Sequence, residues 1–314
     1  MTGIAIAGVT ASGKSDLAAE LAVRYGGEVI SCDSMLVYRG CNIGTAKPSE
    51  EEKRGVPHHL IDILDPEQPF SVADFTSMCE KVEREVVARG RMPVICGGTG
   101  LYLDCYLRGG LPSEQQKDDA VRARLEGEAA AFGCEEMHRR LREKDPEAAE
   151  AIHANNLRRV LRALEIIEIS GKTKTELDRE TPQHVCVRDY GVIALGYKDR
   201  EVRSAAIENR VRKMFDMGLA EETLMLRKAG VFEKCAAAAQ AIGYKELFPY
   251  LDGAESREDA IMRLTIATRR YAKRQMTWFS AVPYVKWIYV DENGKRKSLA
   301  HIADEAARLL ELDK

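Results

Sequence analysis

The chain lacks the features that would assign it to a membrane, to export or to a cysteine-bound metal. None of its apolar runs approaches the ~20 residues that a membrane-spanning helix needs, and its N-terminus has no basic segment followed by a hydrophobic stretch and a cleavage site. Its eight cysteines include no C-x-x-C pair and no metal-ligand spacing to a histidine, so we interpret them as reduced, mostly buried thiols. These absences predict a cytoplasmic protein with no membrane contact.

The chain also lacks a strong excess of one charge. Its formal net charge is −3, so the total charge does not indicate a nucleic-acid partner. Basic residues cluster locally, at Arg139-Arg140, at 158–162 and at 269–274. On charge alone, a solvated helix face explains each cluster, and an RNA partner would have to bind such local patches.

What the chain does contain is a phosphate-binding pattern close to its start. The residues that fit G-x-x-x-x-G-K-[ST] are Gly8, Val9, Thr10, Ala11, Ser12, Gly13, Lys14 and Ser15. An apolar run at 3–7 precedes them and an amphipathic helix is predicted over 16–25, so strand, glycine loop and helix follow in the required order. In such a loop backbone N–H groups and the helix N-terminus face the phosphates, Lys14 reaches the terminal phosphates, and Ser15 is placed for Mg²⁺. We therefore predict a loop that binds a diphosphate or nucleotide; the alternative is a glycine-rich turn that binds nothing.

The strand candidates alternate with helical or loop segments. They lie at 4–7, 29–32, 93–96, 192–195 and 285–290. This alternation predicts an α/β protein whose P-loop NTPase-like parallel sheet is flanked by helices.

A charged segment rich in helix formers separates the early strands from the late ones. Apolar residues recur at helical spacing over 121–132, 135–143 and 157–169, and Gly171 is a plausible helix end. We predict an inserted all-helical domain over 112–189. The core, 1–111 and 190–314, is then discontinuous.

Two polar groups follow predicted strands near the phosphate loop. Ligands of open α/β sheets collect at the carboxyl ends of the strands, so Asp33 and the Gly97-Gly98-Thr99-Gly100 loop are expected at the same crevice. From position alone, Asp33 is a Mg²⁺ ligand, a base for an incoming nucleophile, or the N-cap of Ser34-Met35-Leu36. The third strand ends in Cys96 and not in the acidic residue with which ATP hydrolases hold Mg²⁺, so the diphosphate need not belong to a nucleotide.

Further short motifs follow the phosphate loop along the chain. They are D-S-M-L-V-Y-R-G at 33–40, I-G-T-A-K-P at 43–48, P-H-H-L-I-D at 57–62, G-G-T-G-L-Y at 97–102, Q-A-I-G-Y-K-E at 240–246 and R-R-Y-A-K-R-Q at 269–275. With the phosphate loop, these motifs resemble those of the bacterial tRNA dimethylallyltransferases, in order and over nearly the whole chain. Two departures are visible: Val9 replaces the usual proline, and Leu36 stands where many members have glutamine.

The resemblance implies a reaction and a set of catalytic residues. A dimethylallyl group would pass from dimethylallyl diphosphate to N6 of adenosine 37 in tRNAs that read codons starting with U. Asp33 would accept the N6 proton, Thr99 would hydrogen-bond near the reacting amine and the diphosphate, and Arg210 would join the loop N–H groups of residues 10–15, Lys14 and Mg²⁺ in stabilising the leaving diphosphate. The target base would have to leave its stack to react.

The resemblance also implies the residues that meet the tRNA. Without it, the arginines among them would be interpreted as a surface helix face. With it, the inserted domain grips the anticodon stem-loop, and we expect a monomer with Mg²⁺ as its cofactor. The tRNA-binding residues are Asp33, Ser34, Met35, Leu36, Thr99, Arg122, Arg158, Arg159, Val160, Leu161 and Arg162.

Three other functions fit parts of the pattern. A nucleotide or small-metabolite kinase has the same phosphate loop but would consume the γ-phosphate of ATP. A prenyltransferase of free adenine nucleotides would have little use for a helical insertion that binds RNA. A GTPase-like regulatory module would carry a guanine-selecting N-K-x-D segment, which this chain lacks.

Overall fold

The computed structural model describes residues 1–109, 118–180 and 185–313. These residues form two compact units, one of Met1–Leu107 with Arg188–Lys314 and one of Arg108–Val187. The predicted domain boundary between residues 111 and 112 lies outside the described residues. The predicted boundary between residues 189 and 190 lies close to the observed division.

A six-stranded parallel sheet forms the centre of the first unit, in the order β3-β2-β4-β1-β5-β6. The predicted α/β class and parallel sheet are confirmed, and each of the five strand candidates corresponds to a strand. The sixth strand, β3, has only two residues, both histidine, and therefore gives no apolar run to recognise. The strands are β1 (Gly3–Gly8), β2 (Gly27–Ser31), β3 (His58–His59), β4 (Met92–Cys96), β5 (Tyr190–Gly196) and β6 (Lys286–Tyr289).

Helices surround the sheet and make up the second unit. In chain order they are α1 (Lys14–Tyr25), α2 (Glu50–Lys53), α3 (Val72–Ala88), α4 (Gly100–Leu107), α5 (Asp119–Lys144), α6 (Pro146–Ala151), α7 (Leu157–Ser170), α8 (Lys174–Glu180), α9 (Arg200–Asp216), α10 (Leu219–Lys228), α11 (Val231–Lys234), α12 (Ala236–Gln240), α13 (Phe248–Leu251), α14 (Arg257–Ser280) and α15 (Leu299–Leu310). A 3₁₀ turn lies at Lys245–Leu247, and a short antiparallel hairpin pairs β7 (Asp291–Glu292) with β8 (Lys295–Arg296).

Two apolar clusters fix the first unit. In one, the strands bury side chains such as Ile4, Ile6 and Ile193 against α1 and α15. In the other, Val37 and Tyr38 pack with α9, α10 and α14. Both clusters include residues of the chain that follow the second unit, so the sheet needs both parts of its discontinuous sequence.

The second unit has its own core, formed by α5, α6 and α7. The two helices predicted over 121–132 and 135–143 form one helical segment, broken at Gly133, whose φ of 81° is not helical. The predicted end of α7 at Gly171 is confirmed, because this residue caps the helix with a φ of 70°.

The eight cysteines, all within the described residues, form no disulfide, and six of them are buried, in agreement with the sequence interpretation. Within the described part of the chain, every helix is too short or too polar to span a lipid bilayer.

Candidate active site

The phosphate loop joins β1 to α1. The Val9 N–H donates to the Leu195 carbonyl of β5 at 3.1 Å, and the Thr10 N–H donates to Gln275 Oε1 of α14 at 2.8 Å. Ala11 has a φ of 63°, in the left-handed region that residues other than glycine rarely enter. Lys14 and Ser15 lie in the first turn of α1, where backbone N–H groups have no intrahelical partner. The structure thus gives the loop the tight curl and the helix N-terminus that anion binding requires.

Some N–H groups of this loop already have partners in the protein. The Thr10 N–H is bonded to Gln275, and the Ser12 N–H donates to the Val9 carbonyl at 3.3 Å. The predicted donor set, residues 10–15, is therefore larger than the set that this loop conformation offers to a ligand. These two bonds hold the shape of the loop.

The cations Lys14 and Arg210 lie near the loop together with the carboxylate of Asp33. Burial lowers the pKa of Lys14 from its ordinary 10.5 and the charge of Arg210 lowers it further, whereas Cys96 and Asp33 act in the opposite direction. Burial also lowers the pKa of Arg210, and the carboxylate of Asp33 is the largest opposing influence. Because the pKa of Lys14 responds to the charges of Arg210 and Asp33, and the pKa of Arg210 responds to the charge of Asp33, the three side chains lie close together.

Asp33 lies in the turn that follows β2, beside Thr99. Its Oδ1 accepts a hydrogen bond from the Met35 N–H at 2.8 Å, and the Thr99 Oγ1 accepts one from the Ser34 N–H at 3.3 Å. Residues 34–36 form bends and a turn, so Asp33 closes an Asx turn and is not the N-cap of a helix. That alternative for Asp33 was wrong, and Ser34, Met35 and Leu36 are partly buried within the turn.

The loop after β4 approaches the chain after β2 very closely. The Cys32 N–H donates to the Cys96 carbonyl at 2.8 Å, and the Gly97 N–H donates to the Ile6 carbonyl at 3.1 Å. A Cβ atom on Gly97 would lie only 1.8 Å from the Cys32 carbonyl oxygen, so no other residue fits here. Gly97 is therefore required where the chain after β4 packs against the chain after β2, and this packing sets Thr99 beside the turn that begins at Asp33.

Gln275 joins the two loops, and sequence reasoning did not assign it a role. Its side chain is 4 % exposed, accepts the Thr10 N–H, and donates from Nε2 to the Gly98 carbonyl at 3.0 Å. A detectable signal exists, because Gln275 is a polar residue on the buried stripe of α14 that includes Leu264 and Phe279. Such a residue indicates a buried hydrogen-bond partner.

Two tyrosines near this site were not assigned to it from the sequence. Tyr271 of α14 has a phenol whose pKa is raised by burial and, next, by the charge of Asp33, so it is neutral at physiological pH. Tyr197, directly after β5, donates from its hydroxyl to the Ala11 carbonyl at 2.5 Å. A single tyrosine, whether within a helix like Tyr271 or directly after a strand like Tyr197, gives no sequence signal for such a contact.

The residues present fit a Mg²⁺ ion that enters with a diphosphate. Among the described residues, no group of three or more His, Cys, Asp or Glu side chains is arranged to hold a metal ion. Mg²⁺ commonly keeps several waters and binds through substrate phosphates with few protein oxygens. The hydroxyl of Ser15, exposed in the first turn of α1, is an oxygen of that kind.

The four arginines predicted to bind RNA lie in the second unit, on α5 and α7. Arg158 and Arg159 are exposed in the first turn of α7. Arg162 Nη1 donates to Glu165 Oε2 at 2.9 Å, and Arg122 Nη1 donates to the same oxygen at 3.4 Å. Glu165 is 2 % exposed, so one buried carboxylate orients two of the four arginines and connects α5 to α7.

Val160 and Leu161, also predicted to contact tRNA, do not lie on the surface of α7 that exposes Arg158 and Arg159. Both are buried in the core of the second unit. Successive residues of an α-helix are about 100° apart around its axis, so residues 158–162 cannot all present side chains on one side. The structure corrects the prediction for these two residues, whose side chains are not available to an RNA.

Fold and site together define a class of protein. A parallel α/β sheet with a phosphate loop after its first strand, and with a carboxylate and a glycine loop after the next two strands in the sheet, is an α/β protein of the P-loop class with an anion site at the carboxyl ends of its strands.

Comparison with known proteins identifies the family. A model of the IPP transferase family matches residues 36–281. A tRNA dimethylallyltransferase of Halalkalibacterium halodurans is 44% identical over 312 residues, which cover 98% of this chain and 97% of the relative. One of Caldanaerobacter subterraneus is 40% identical over 294 residues, 92% of each chain.

Solved structures agree with this assignment. The full-length tRNA isopentenylpyrophosphate transferase of Bacillus halodurans superposes with a TM-score of 0.68 at 42% identity, over 99% of this chain and 98% of the other. A eukaryotic dimethylallyltransferase, described in crystallographic snapshots as acting on tRNA, superposes with a TM-score of 0.78 at 29% identity. The match covers 91% of this chain and 73% of the other. The chain belongs to the IPP transferase family, and the resemblance to bacterial tRNA dimethylallyltransferases is confirmed.

Proposed function

We propose that this protein is a tRNA dimethylallyltransferase. It transfers the dimethylallyl group of dimethylallyl diphosphate to N6 of adenosine 37 in tRNAs that read codons starting with U, giving N6-(dimethylallyl)adenosine and diphosphate. The observation that carries the proposal is the convergence of Lys14, Arg210, Asp33 and Thr99 at one phosphate loop in a chain of this family.

The chemistry needs a stabilised leaving group more than a strong nucleophile. The lone pair of the exocyclic amine is delocalised into the adenine ring, whereas an allylic C–O bond breaks readily once the departing diphosphate is stabilised. The loop amides, Lys14 and Arg210 surround the leaving diphosphate with positive charge. The Ser15 hydroxyl, together with the diphosphate itself, would hold Mg²⁺, and the bound ion would supply further charge neutralisation.

The site contains a proton acceptor and an orienting hydroxyl for the transfer. The N6–C bond forms as the C–O bond to the diphosphate breaks, and the diphosphate leaves with the bonding electrons. Asp33 accepts the N6 proton, and the Thr99 hydroxyl beside it orients the amine and the diphosphate.

Arginines of the second unit supply the RNA contact. Arg158 and Arg159 are exposed and Arg162 and Arg122 are held by Glu165, which favours contacts to the phosphates of an anticodon stem-loop. Asp33 and Thr99 would meet the target base itself, and the turn at Ser34, Met35 and Leu36 would contact the nucleotides beside it. The enzyme acts as a monomer.

The test is to follow a label. Purified protein, Mg²⁺ and unmodified tRNA are incubated with isoprenoid-labelled dimethylallyl diphosphate and, in parallel, with ATP labelled in its γ-phosphate. We expect the isoprenoid label in the RNA, at nucleotide 37 after nuclease digestion, and no label in a tRNA with guanosine at that position. Consumption of ATP without isoprenoid transfer would identify a kinase and contradict the proposal.

A further inference from the structure

A short hairpin near the C-terminus contacts the phosphate loop. The hairpin pairs Asp291 with Arg296 and lies beyond residues 36–281, the part that the family model matches. Arg296 Nη2 donates to the Ser12 carbonyl at 2.8 Å, and its Nη1 lies 3.4 Å from the Ala11 carbonyl.

Tyr197 reinforces the same contact. Its side chain is buried, its hydroxyl donates to the Ala11 carbonyl at 2.5 Å, and it accepts a hydrogen bond from Arg296 Nη1 at 2.9 Å. The carbonyls of two successive loop residues are thus held by a phenol and a guanidinium that are also bonded to each other.

Hydrogen bonds to the chain at the end of β5 fix the position of the hairpin, and therefore of Arg296. The carboxylate of Asp291, which is 2 % exposed, accepts the N–H groups of Lys198 and Asp199 at 2.8 Å each. The Val290 N–H donates to the Gly196 carbonyl at 2.9 Å, and this continues the pairing of β6 with β5. These bonds fix the hairpin to the same β5 end that carries Tyr197.

The guanidinium lies directly against the loop backbone. A Cβ atom on Gly13 would come within 2.4 Å of Arg296 Nη2. The glycine that the phosphate-loop motif requires for its φ of 84° therefore also leaves room for Arg296.

We propose that Arg296 and Tyr197 are positioning residues for the diphosphate, which they act on through the phosphate loop. In a trans peptide the carbonyl and the following N–H point in opposite directions, so holding the Ser12 carbonyl outward directs the Gly13 N–H inward. A cation on the carbonyl side also polarises the peptide, because hydrogen bonds in series strengthen one another. The left-handed conformation of Ala11 persists because its carbonyl is held in this way.

The test is the binding of inorganic pyrophosphate with Mg²⁺ to the full-length protein, measured by titration calorimetry. Arg296→Met should weaken this binding about five- to tenfold, because it removes charge-assisted hydrogen bonds to the loop. Lys295→Met is the matched control: it removes one positive charge from the same exposed hairpin without touching the loop, and it should change the affinity less than about twofold. Equal effects of the two variants would overturn the proposal.

Two further variants keep the test decisive. Tyr197→Phe retains the buried ring and loses only the hydroxyl, so it should weaken pyrophosphate binding about threefold even if Arg296→Met folds poorly. Arg296→Lys keeps the charge and should fall between the wild type and Arg296→Met, because lysine lacks the planar fork. Wild-type affinity in Tyr197→Phe would contradict the assigned role.

The inference rests on the proposed function for its choice of ligand, yet the two can fail separately. Pyrophosphate binding requires no transfer to RNA. If the wild type binds pyrophosphate through Arg296 but modifies no tRNA, the proposed function fails and the positioning role stands. If the wild type modifies tRNA and Arg296→Met has the same KM for dimethylallyl diphosphate as the wild type, the positioning role fails and the proposed function stands.

Discussion

The phosphate loop of the first unit and the arginine face of the second, formed by Arg122, Arg158, Arg159 and Arg162, are held ready for an anion in two different ways. The loop is held by residues distant in sequence: Gln275 bonds to Thr10, and Arg296 bonds to Ser12. Much of the arginine face is held locally, since Arg162 pairs with Glu165 three residues on and Arg122 pairs with Glu126 four residues on. The first site depends on the whole fold, whereas the second depends mainly on which residues a helix exposes.

The phosphate loop and the arginine face also differ in how deeply their charged groups are buried. The pKa values of Lys14 and Arg210 are lowered first of all by burial, so their charges act in a medium that screens them weakly. Arg158 and Arg159 are exposed, where salt screens them over about 8 Å at physiological ionic strength. We expect the loop to recognise the geometry of its ligand and the arginine face to recognise charge.

The largest effect should come from removing the carboxylate at the loop. Asp33→Asn should lower kcat by roughly 10³-fold, because general-base catalysis contributes about 10²–10⁴ and the amine proton would lose its acceptor. Pyrophosphate should bind as tightly or more tightly, because the variant removes a negative charge beside Lys14 and Arg210. Single-turnover prenylation and calorimetry measure the two quantities.

The control for that variant is Asp65→Asn, an exposed carboxylate paired with Arg39 outside the site. It should leave both quantities unchanged. Parallel losses of turnover and of pyrophosphate affinity in Asp33→Asn would mean that this carboxylate shapes the loop and does not take part in proton transfer.

A smaller effect should follow from breaking the long-range support of the loop. Gln275→Leu leaves the Thr10 N–H and the Gly98 carbonyl buried without this partner, which costs about 1–3 kcal/mol of folding free energy and lowers the melting temperature. Because the loop shifts, kcat/KM for dimethylallyl diphosphate should fall about tenfold or more. Thr277→Ala, an exposed position on the same helix, is the matched control. Full activity in Gln275→Leu would show that the loop does not need α14.

The same contrast explains what could be predicted from the sequence. The loop from Gly8 to Ser15 and the carboxylate at Asp33 follow strands directly, so local pattern and strand-end topology are sufficient to find them. Gln275, Tyr197 and Arg296 act on the loop across more than 180 residues of sequence, and no local pattern encodes such a contact.

The wrong prediction in the helical unit concerns information that the local sequence does contain. The resemblance implies Val160 and Leu161 as RNA contacts together with the arginines on either side of them, although their place in the helical repeat predicts burial. For these two residues, the helical spacing of apolar positions in the sequence is sufficient to correct the prediction. At the sheet, the short strand at His58–His59 could not be recognised, because pairing with β2 and not apolar character makes it a strand.

The pH dependence of pyrophosphate binding tests the burial of Lys14. The ammonium attracts the diphosphate, so its contribution is complete below the lowered pKa of Lys14 and is lost as pH rises through it, earlier than for an ordinary lysine at 10.5. For the unliganded protein the sign is reversed: the lowered pKa means that the buried ammonium costs stability at neutral pH, and that cost is relieved as pH rises.

The measurement is pyrophosphate affinity between about pH 7 and 10 in the wild type and in Lys14→Arg, since arginine stays charged throughout. The wild type should lose several-fold more affinity than the variant over this range, and the comparison removes the ionisation of pyrophosphate itself. Parallel profiles would mean that a group other than Lys14 titrates.

The smallest effect belongs to the arginine face, and it should appear in salt dependence. Arg159→Ala should weaken tRNA binding only a few-fold and reduce the slope of log affinity against log salt by about 0.7–0.9, the value for one phosphate contact. Arg179→Ala is the control, because this exposed arginine of the same unit already pairs with Glu147 and its loss should leave the slope nearly unchanged. Pyrophosphate affinity should be the same in both variants. If the slope does not change in Arg159→Ala, this residue belongs to a solvated helix face and does not contact RNA. Other arginines would then have to supply the charge recognition that distinguishes the second unit from the phosphate loop.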